Sequence, residues 1–226
     1  MKLYLLLNLG SIALPLLFSF HPKIQFNKEW KYLFPALTFT AIPFLLWDVW
    51  FAKAGYWGFN PEYLLGVYLF DLPLEEWMFF FCIPYACLFT MYTMNKNLKD
   101  FKFSNQATRL ITVAILLIGS ILGITFFDRS YTAVNYLFAV MILAITWKAQ
   151  PQILNSYYVG YLVILLPFLI VNGLLTGSFI KDEVVWYNNL ENLNYRVATI
   201  PIEDFTYAFT MLLLPCLIIS MLKKRY

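Results

Sequence analysis

Charge is scarce in this chain: Asp, Glu, Lys and Arg make up 13% of 226 residues, against 61% apolar residues. Such proportions exclude a disordered protein, a coiled coil and a soluble nucleotide-binding enzyme, and leave a membrane protein. Histidine is nearly absent. The single His21 closes an apolar run, where it reads as an interface residue, and histidine-rich diiron chemistry is excluded. The three cysteines, Cys82, Cys87 and Cys216, lie inside apolar runs, so buried thiols are expected instead of a disulfide framework or a zinc site. Neither G-x-G-x-x-G nor G-x-x-x-x-G-K-[ST] occurs, so no flavin, nicotinamide or nucleotide fold is supported. No D-D-x-x-D pair supports magnesium-dependent prenyl transfer. The expectation is therefore a protein without metal or cofactor. The net charge of +3 comes from short clusters, not from a basic face; membrane lipid is an expected partner and nucleic acid is not.

Apolar runs, by contrast, are plentiful. A helix needs about 20 apolar residues to cross a hydrocarbon core of roughly 30 Å. Seven runs qualify or nearly do, at about 3–20, 33–51, 73–94, 109–127, 132–147, 157–175 and 201–222, the fifth being the shortest. The fold expected is an all-α integral membrane protein of about seven transmembrane helices. Lys23, Lys28 and Lys31 follow the first run and no small-residue cleavage site closes it, which predicts a retained helix and not a signal peptide. Seven crossings put eleven of the 16 Lys and Arg residues on one side: Lys23, Lys28, Lys31, Lys96, Lys99, Lys102, Arg109, Lys148, Lys223, Lys224 and Arg225. The positive-inside rule then places the amino terminus outside and the carboxyl terminus in the cytoplasm. Trp30, Tyr32, Trp147, Tyr157, Tyr158 and Tyr226 read as interfacial belts.

The chain also repeats itself. Pro43 to Asp48 is echoed by Pro167 to Asn172. Trp57, Asn60 and Glu62 recur with the same spacing as Trp186, Asn189 and Glu191, and Pro73-Leu74-Glu75-Glu76 recurs as Pro201-Ile202-Glu203-Asp204. The expected organisation is a first repeat over 1–100, a linking helix over 101–130 and a second repeat over 131–226. With seven crossings the copies run parallel, related by an axis along the membrane normal, and their polar residues gather in the outer half of one bundle.

Proline in a first helical turn with acids behind it is a good helix start in any protein, and Asp71 and Thr199 fit as N-caps. A cap needs only one acid, however, and both copies keep two. Adjacent helical positions point about 100° apart, so one acid of each pair faces the bundle centre, with Glu75 and Glu203 expected there. Trp47, Trp50, Trp57, Trp77, Phe79, Phe80, Trp186, Phe205 and Tyr207 crowd around these acids. Aromatic faces attract cations, so the set suits carbocation chemistry and, equally, a cation-binding site. Asp48, whose counterpart Asn172 cannot titrate, is expected to orient or hydrogen-bond.

These landmarks resemble the small membrane-integral, non-flavin lycopene cyclases, found as heterodimers in some bacteria and as fused domains in archaea and in bifunctional fungal proteins. The carriers are Pro43 to Asp48 with Trp57 and Asn60, Pro73 to Glu76, Pro167 to Gly173, Trp186 to Asn189, and Pro201 to Asp204, where aspartate replaces the last glutamate. The resemblance implies a carotenoid cyclase, a redox-neutral isomerase converting lycopene or a related linear carotenoid to a monocyclic and then a bicyclic carotene (gamma- then beta-carotene). It implies a bacterial or archaeal cell membrane as the location, with other carotenoid enzymes as possible partners. Catalytic positions would be Glu75, Glu76, Glu203 and Asp204, and substrate-binding positions Trp47, Asp48, Asn172, Trp57, Asn60, Trp186 and Asn189. Ring closure needs a carboxylic acid, a proton acceptor and a dry aromatic pocket, and two close carboxyls sharing one proton provide both roles. The alternatives are a proton- or cation-coupled transporter or lipid-binding protein, or a metal-dependent prenyltransferase with the four acids as ligands.

Overall fold

The computed structural model describes residues 2–98 and 100–225; Lys99 and Tyr226, assigned above to the cationic side and to a belt, lie outside the described residues. Seven α-helices carry the fold: α1 (Leu3–Phe18), α2 (Trp30–Ala54), α3 (Leu74–Asn97), α4 (Asn105–Thr125), α5 (Ser130–Ala149), α6 (Pro151–Leu175) and α7 (Ile202–Arg225). Six short strands join them: β1 (Trp57–Phe59), β2 (Tyr68–Leu69), β3 (Leu72–Pro73), β4 (Val185–Tyr187), β5 (Arg196–Val197) and β6 (Ile200–Pro201). The result is the all-α membrane protein expected. The shortest helix is α1, with 16 residues, and not the fifth, which has 20. At 1.5 Å per residue α1 spans only about 24 Å, whereas the other six are long and apolar enough to cross a membrane.

Local signals explain the boundaries. Gly55 closes α2 in the left-handed conformation that glycine adopts without penalty. Ser104 caps α4, its Oγ accepting from Ala107 N at 3.2 Å, and Pro151 opens α6 where no N–H is needed. Prolines inside α1, α2, α3, α6 and α7 persist because the bundle re-satisfies freed carbonyls. Tyr157 and Tyr158 are core residues and not belt residues: α6 begins at Pro151, which carries both into the bundle. There Tyr157 OH donates to Phe209 O, and Tyr158 OH hydrogen-bonds Thr112 Oγ1 at 2.6 Å.

Helix α1 packs on α3, α5 on α7, α2 on α7, α3 on α6, and α4 chiefly on α5. Outward faces such as Leu110, Leu117, Ile121 and Ile124 of α4, and Leu162, Leu166 and Ile170 of α6, are exposed and apolar. Patches this long suit lipid and not water. At one end of the bundle Lys223 bridges Glu29 at 2.5 Å and Lys96 Nζ donates to Ile24 O at 2.8 Å. At the other, Lys53 bridges Asp71 at 3.2 Å and Arg129 Nη1 donates to Asn192 O at 2.6 Å.

The two copies meet in an antiparallel ladder of β1 and β4, with Gly58 opposite Trp186. A Cβ on Gly58 would lie 2.3 Å from the Trp186 ring, so only glycine lets the indole cross the strand. On either side of this centre Asn60 N donates to Val184 O at 2.9 Å and Asn188 N donates to Tyr56 O at 2.8 Å. Equivalent residues here are thus 128 positions apart, like Pro73 and Pro201. The sequence matching of Trp57 with Trp186 and Asn60 with Asn189 is one residue out of register, because residue type suggested it and backbone pairing overrules it.

Helix α4 reaches α5 through Gly119 and Gly123, one turn apart, where added Cβ atoms would come within 2.9 Å of Val140 and 2.8 Å of Leu137. Small residues spaced this way let membrane helices approach closely. Gly123→Leu should therefore cost about 1–3 kcal/mol by overpacking, read as a lower unfolding midpoint in detergent. An unchanged midpoint would show that the contact is dispensable.

Candidate active site

Helix α1 presents Tyr4 and Asn8, one turn apart, to the start of α3: Tyr4 OH donates to Glu76 Oε2 at 2.5 Å and Asn8 Nδ2 donates to Glu75 O at 2.8 Å. Helix α5 does the same to α7. Tyr131 OH donates to Asp204 Oδ1 at 2.5 Å, and Asn135 Nδ2 donates to Glu203 O at 2.6 Å. The first turn of α3 and of α7 is thus fixed by a neighbouring helix rather than by an N-cap. Asp71 instead bridges Lys53, and Thr199 Oγ1 hydrogen-bonds Ser178 and Thr176. The Tyr-x-x-x-Asn element at 4–8 and 131–135 is a further landmark of the repeat that the sequence reading did not use.

Glu75 and Glu203 face away from the centre, contrary to the expectation. Glu75 Oε1 accepts Leu65 N at 2.5 Å; Glu203 Oε1 accepts Leu193 N at 2.7 Å and Thr132 Oγ1 at 2.7 Å. Both are fully buried, and each braces the loop that precedes its own helix. Their neighbours Glu76 and Asp204, rotated by about 100°, turn inward instead and line a cavity of about 280 Å³ together with Asp48 and Asn172.

Inside that cavity the two carboxyl groups have different company. Glu76 accepts from Tyr4 and has the Asp48 carboxyl as a close neighbour, and Asp48 Oδ1 accepts from Tyr207 OH at 2.9 Å. Two carboxyls held close together in an apolar interior disfavour double ionisation, so the pair keeps at least one proton between them. Asp204 instead receives three donors: Tyr131, Asn172 Nδ2 at 2.8 Å and Tyr187 OH at 3.0 Å. Burial, and after it the nearby Asp204, hold the Tyr187 phenol well above its ordinary range, so it remains a donor. The residues 128 positions before Tyr187 and Tyr207 are Phe59 and Phe79; both line the cavity, without a hydroxyl.

Of the expected substrate-binding residues, Trp57, Asp48 and Asn172 line the cavity. The others are placed elsewhere. Trp47 is buried in an aromatic cluster beside it. Trp186 is 39% exposed, because its strand turns the next residue, Tyr187, inward. Asn60 Oδ1 accepts from Glu62 N at 3.1 Å in a local turn, and Asn189 Oδ1 accepts from Arg196 Nη2 at 3.0 Å. Tyr4, Tyr131, Tyr187 and the inward role of Glu76 were the main features missed. Among the described residues, no three His, Cys, Asp or Glu side chains form a group that could hold a metal ion.

Compared with known proteins, the family model described as lycopene cyclase matches this chain twice in succession, over residues 1–94 and 128–222. No curated protein and no solved structure matches it. The two matched segments carry α1 to α3 and α5 to α7, with the Tyr–carboxyl pair of each copy inside them, and the chain belongs to the lycopene cyclase family.

Proposed function

We propose that this chain closes rings on the ends of lycopene or a related linear carotenoid, with Glu76 as proton donor and Asp204 as proton acceptor. The observation that carries this reading is the unequal solvation of two equivalent carboxyls at one apolar cavity. Glu76 accepts one tyrosine hydroxyl and has a second carboxyl, Asp48, beside it, whereas Asp204 is ringed by three donors. Glu76 delivers a proton to the terminal trisubstituted alkene, forming a tertiary cation. The neighbouring double bond attacks it, a six-membered ring closes, and a ring proton leaves to Asp204. One proton enters and one departs, so the product is an isomer and no electrons change hands. Asp48 resupplies the proton to Glu76, and exchange with water between turnovers takes the proton from Asp204 and returns one to Asp48. The aromatic wall, including Trp57, Phe59 and Phe79, excludes water and favours the cation. The monocyclic carotene is the first product of such a step and the bicyclic one the second.

In this reading residues 1–100 and 131–226 form two parallel three-helix units joined by 101–130. The cationic end of the bundle faces the cytoplasm, both acids lie in the outer half, and the amino terminus is outside. Transport or lipid binding without chemistry gives no reason for one copy to carry a carboxyl pair and the other a carboxyl ringed by donors.

Expression in a colourless host that accumulates lycopene, followed by pigment chromatography, tests the reading. Glu76→Gln and Asp204→Asn should lower cyclic carotene at least about 100-fold, the scale of general acid–base catalysis, at normal membrane levels. Undiminished product from either variant would remove that residue from proton transfer. Glu75→Gln and Glu203→Gln should keep ring formation, because the amide oxygen still accepts the loop N–H. Glu75→Ala should instead lower stability by about 1–3 kcal/mol by leaving that donor unmet; a loss of product with unchanged stability would return Glu75 to the chemistry. Asp48→Asn should abolish cyclisation, since an amide there gives Glu76 the same donor that Asn172 gives Asp204. Retained activity would show that Asp48 only orients.

A further inference from the structure

The repeat should create two equivalent grooves; among the described residues one is an open cavity and the other is filled by aromatic side chains. The cavity lies along α1, α3 and α6, with α7 closing its inner side through Asp204, Tyr207, Ala208, Met211 and Leu212. It reaches from Glu76 to Thr90 on α3, about 21 Å at 1.5 Å per residue, and its walls include Ser11 and Pro15 of α1 and Phe168 and Val171 of α6. The corresponding groove lies along α5, α7 and α2. The position matching Val171 is Trp47, four residues after Pro43 as Val171 is after Pro167, and the position matching Ser11 is Phe138, seven residues after Tyr131 as Ser11 is after Tyr4. Phe44 stands where Phe168 does, and Tyr207 where Phe79 does.

In that second groove the larger side chains meet each other. Trp47 and Phe138 lie 6.1 Å apart between ring centroids, Phe44 and Phe138 5.5 Å, Phe44 and Tyr207 5.0 Å, and Trp47 and Tyr207 5.1 Å. Phe44 is fully buried and Trp47 nearly so. Valine to tryptophan and serine to phenylalanine are the two changes that separate a space from a plug. Both acid sets therefore open onto one channel.

We propose that the chain has a single substrate channel, gated by the small side chains of Val171 and Ser11 and closed in the other copy by Trp47 and Phe138, so that it admits one end of a linear carotenoid at a time. This rests on the cyclase reading. A substrate with two open ends cannot have both processed in one visit: the half-cyclised molecule leaves, and a second ring requires that its other end enter afresh.

The test has two arms. Purified wild-type protein in lipid vesicles is given lycopene in large excess over enzyme, and the pigments are followed in time. Free monocyclic carotene should accumulate first, with any bicyclic product lagging behind it. Bicyclic carotene appearing from the first turnovers without free monocyclic carotene would overturn the proposal. In the second arm, Val171→Trp and, independently, Ser11→Phe should lower ring formation at least about tenfold and abolish the absorbance change on carotenoid binding, with Val171→Leu between them and wild type, at unchanged membrane levels. Wild-type activity in both Val171→Trp and Ser11→Phe would also overturn it. If wild type itself forms no ring, the cyclase reading fails instead, so the two failures are distinguishable.

Discussion

A tyrosine hydroxyl bonded to a buried carboxyl, made once in each copy, is the interaction on which the rest of the structure depends. Tyr4 ties α1 to Glu76 of α3, and Tyr131 ties α5 to Asp204 of α7. A carboxyl in an apolar interior is tolerated only with hydrogen-bonding partners, and these contacts supply them while fixing the rotation of α3 and α7. Once that rotation is set, Glu75 and Glu203 point back to the loops, and Glu76 and Asp204 point into the cavity. The short α1, which spans about 24 Å, is held by this bond together with the neighbouring bond from Asn8.

Duplication gives two such pairs; departures from duplication give them different chemistry. Asp48 against Asn172, Phe59 against Tyr187 and Phe79 against Tyr207 are the substitutions that matter near the carboxyls, and each changes the supply of donors. Tyr187 gives Asp204 a hydroxyl that Phe59 cannot give Glu76. Trp47 against Val171 and Phe138 against Ser11 change space instead. One copy thus supplies the carboxyl pair of Glu76 and Asp48 and the other a carboxyl surrounded by donors, whereas the channel and the aromatic plug are each built from helices of both copies.

Much of this was legible in the sequence. Seven apolar runs correspond to seven helices, six of them long enough for run length and hydrocarbon thickness to be tied directly, and the Pro-x-Glu-Glu echo located the acids. The rotation of the acids was not legible: Glu75 and Glu76 differ only in which side faces α1, and that is decided by Tyr4 and Asn8, some 70 residues away in sequence. Trp186 was misread because tryptophan near an acid suggests a wall, whereas pairing of β4 with β1 turns it out and Tyr187 in. Tyr157 and Tyr158 were misread because an interfacial tyrosine and a core tyrosine have the same side chain, and only the start of α6 at Pro151 separates them.

The central claim is that a carboxyl of this protein gives its proton to carbon and another takes one back. It is tested most directly by equilibrating the purified protein in D₂O, adding lycopene at less than one molecule per enzyme, and determining the mass of the carotene formed. One deuterium per ring closed is the predicted result. Rings formed without deuterium would contradict proton delivery by an exchangeable acid, and unchanged lycopene would contradict cyclisation altogether.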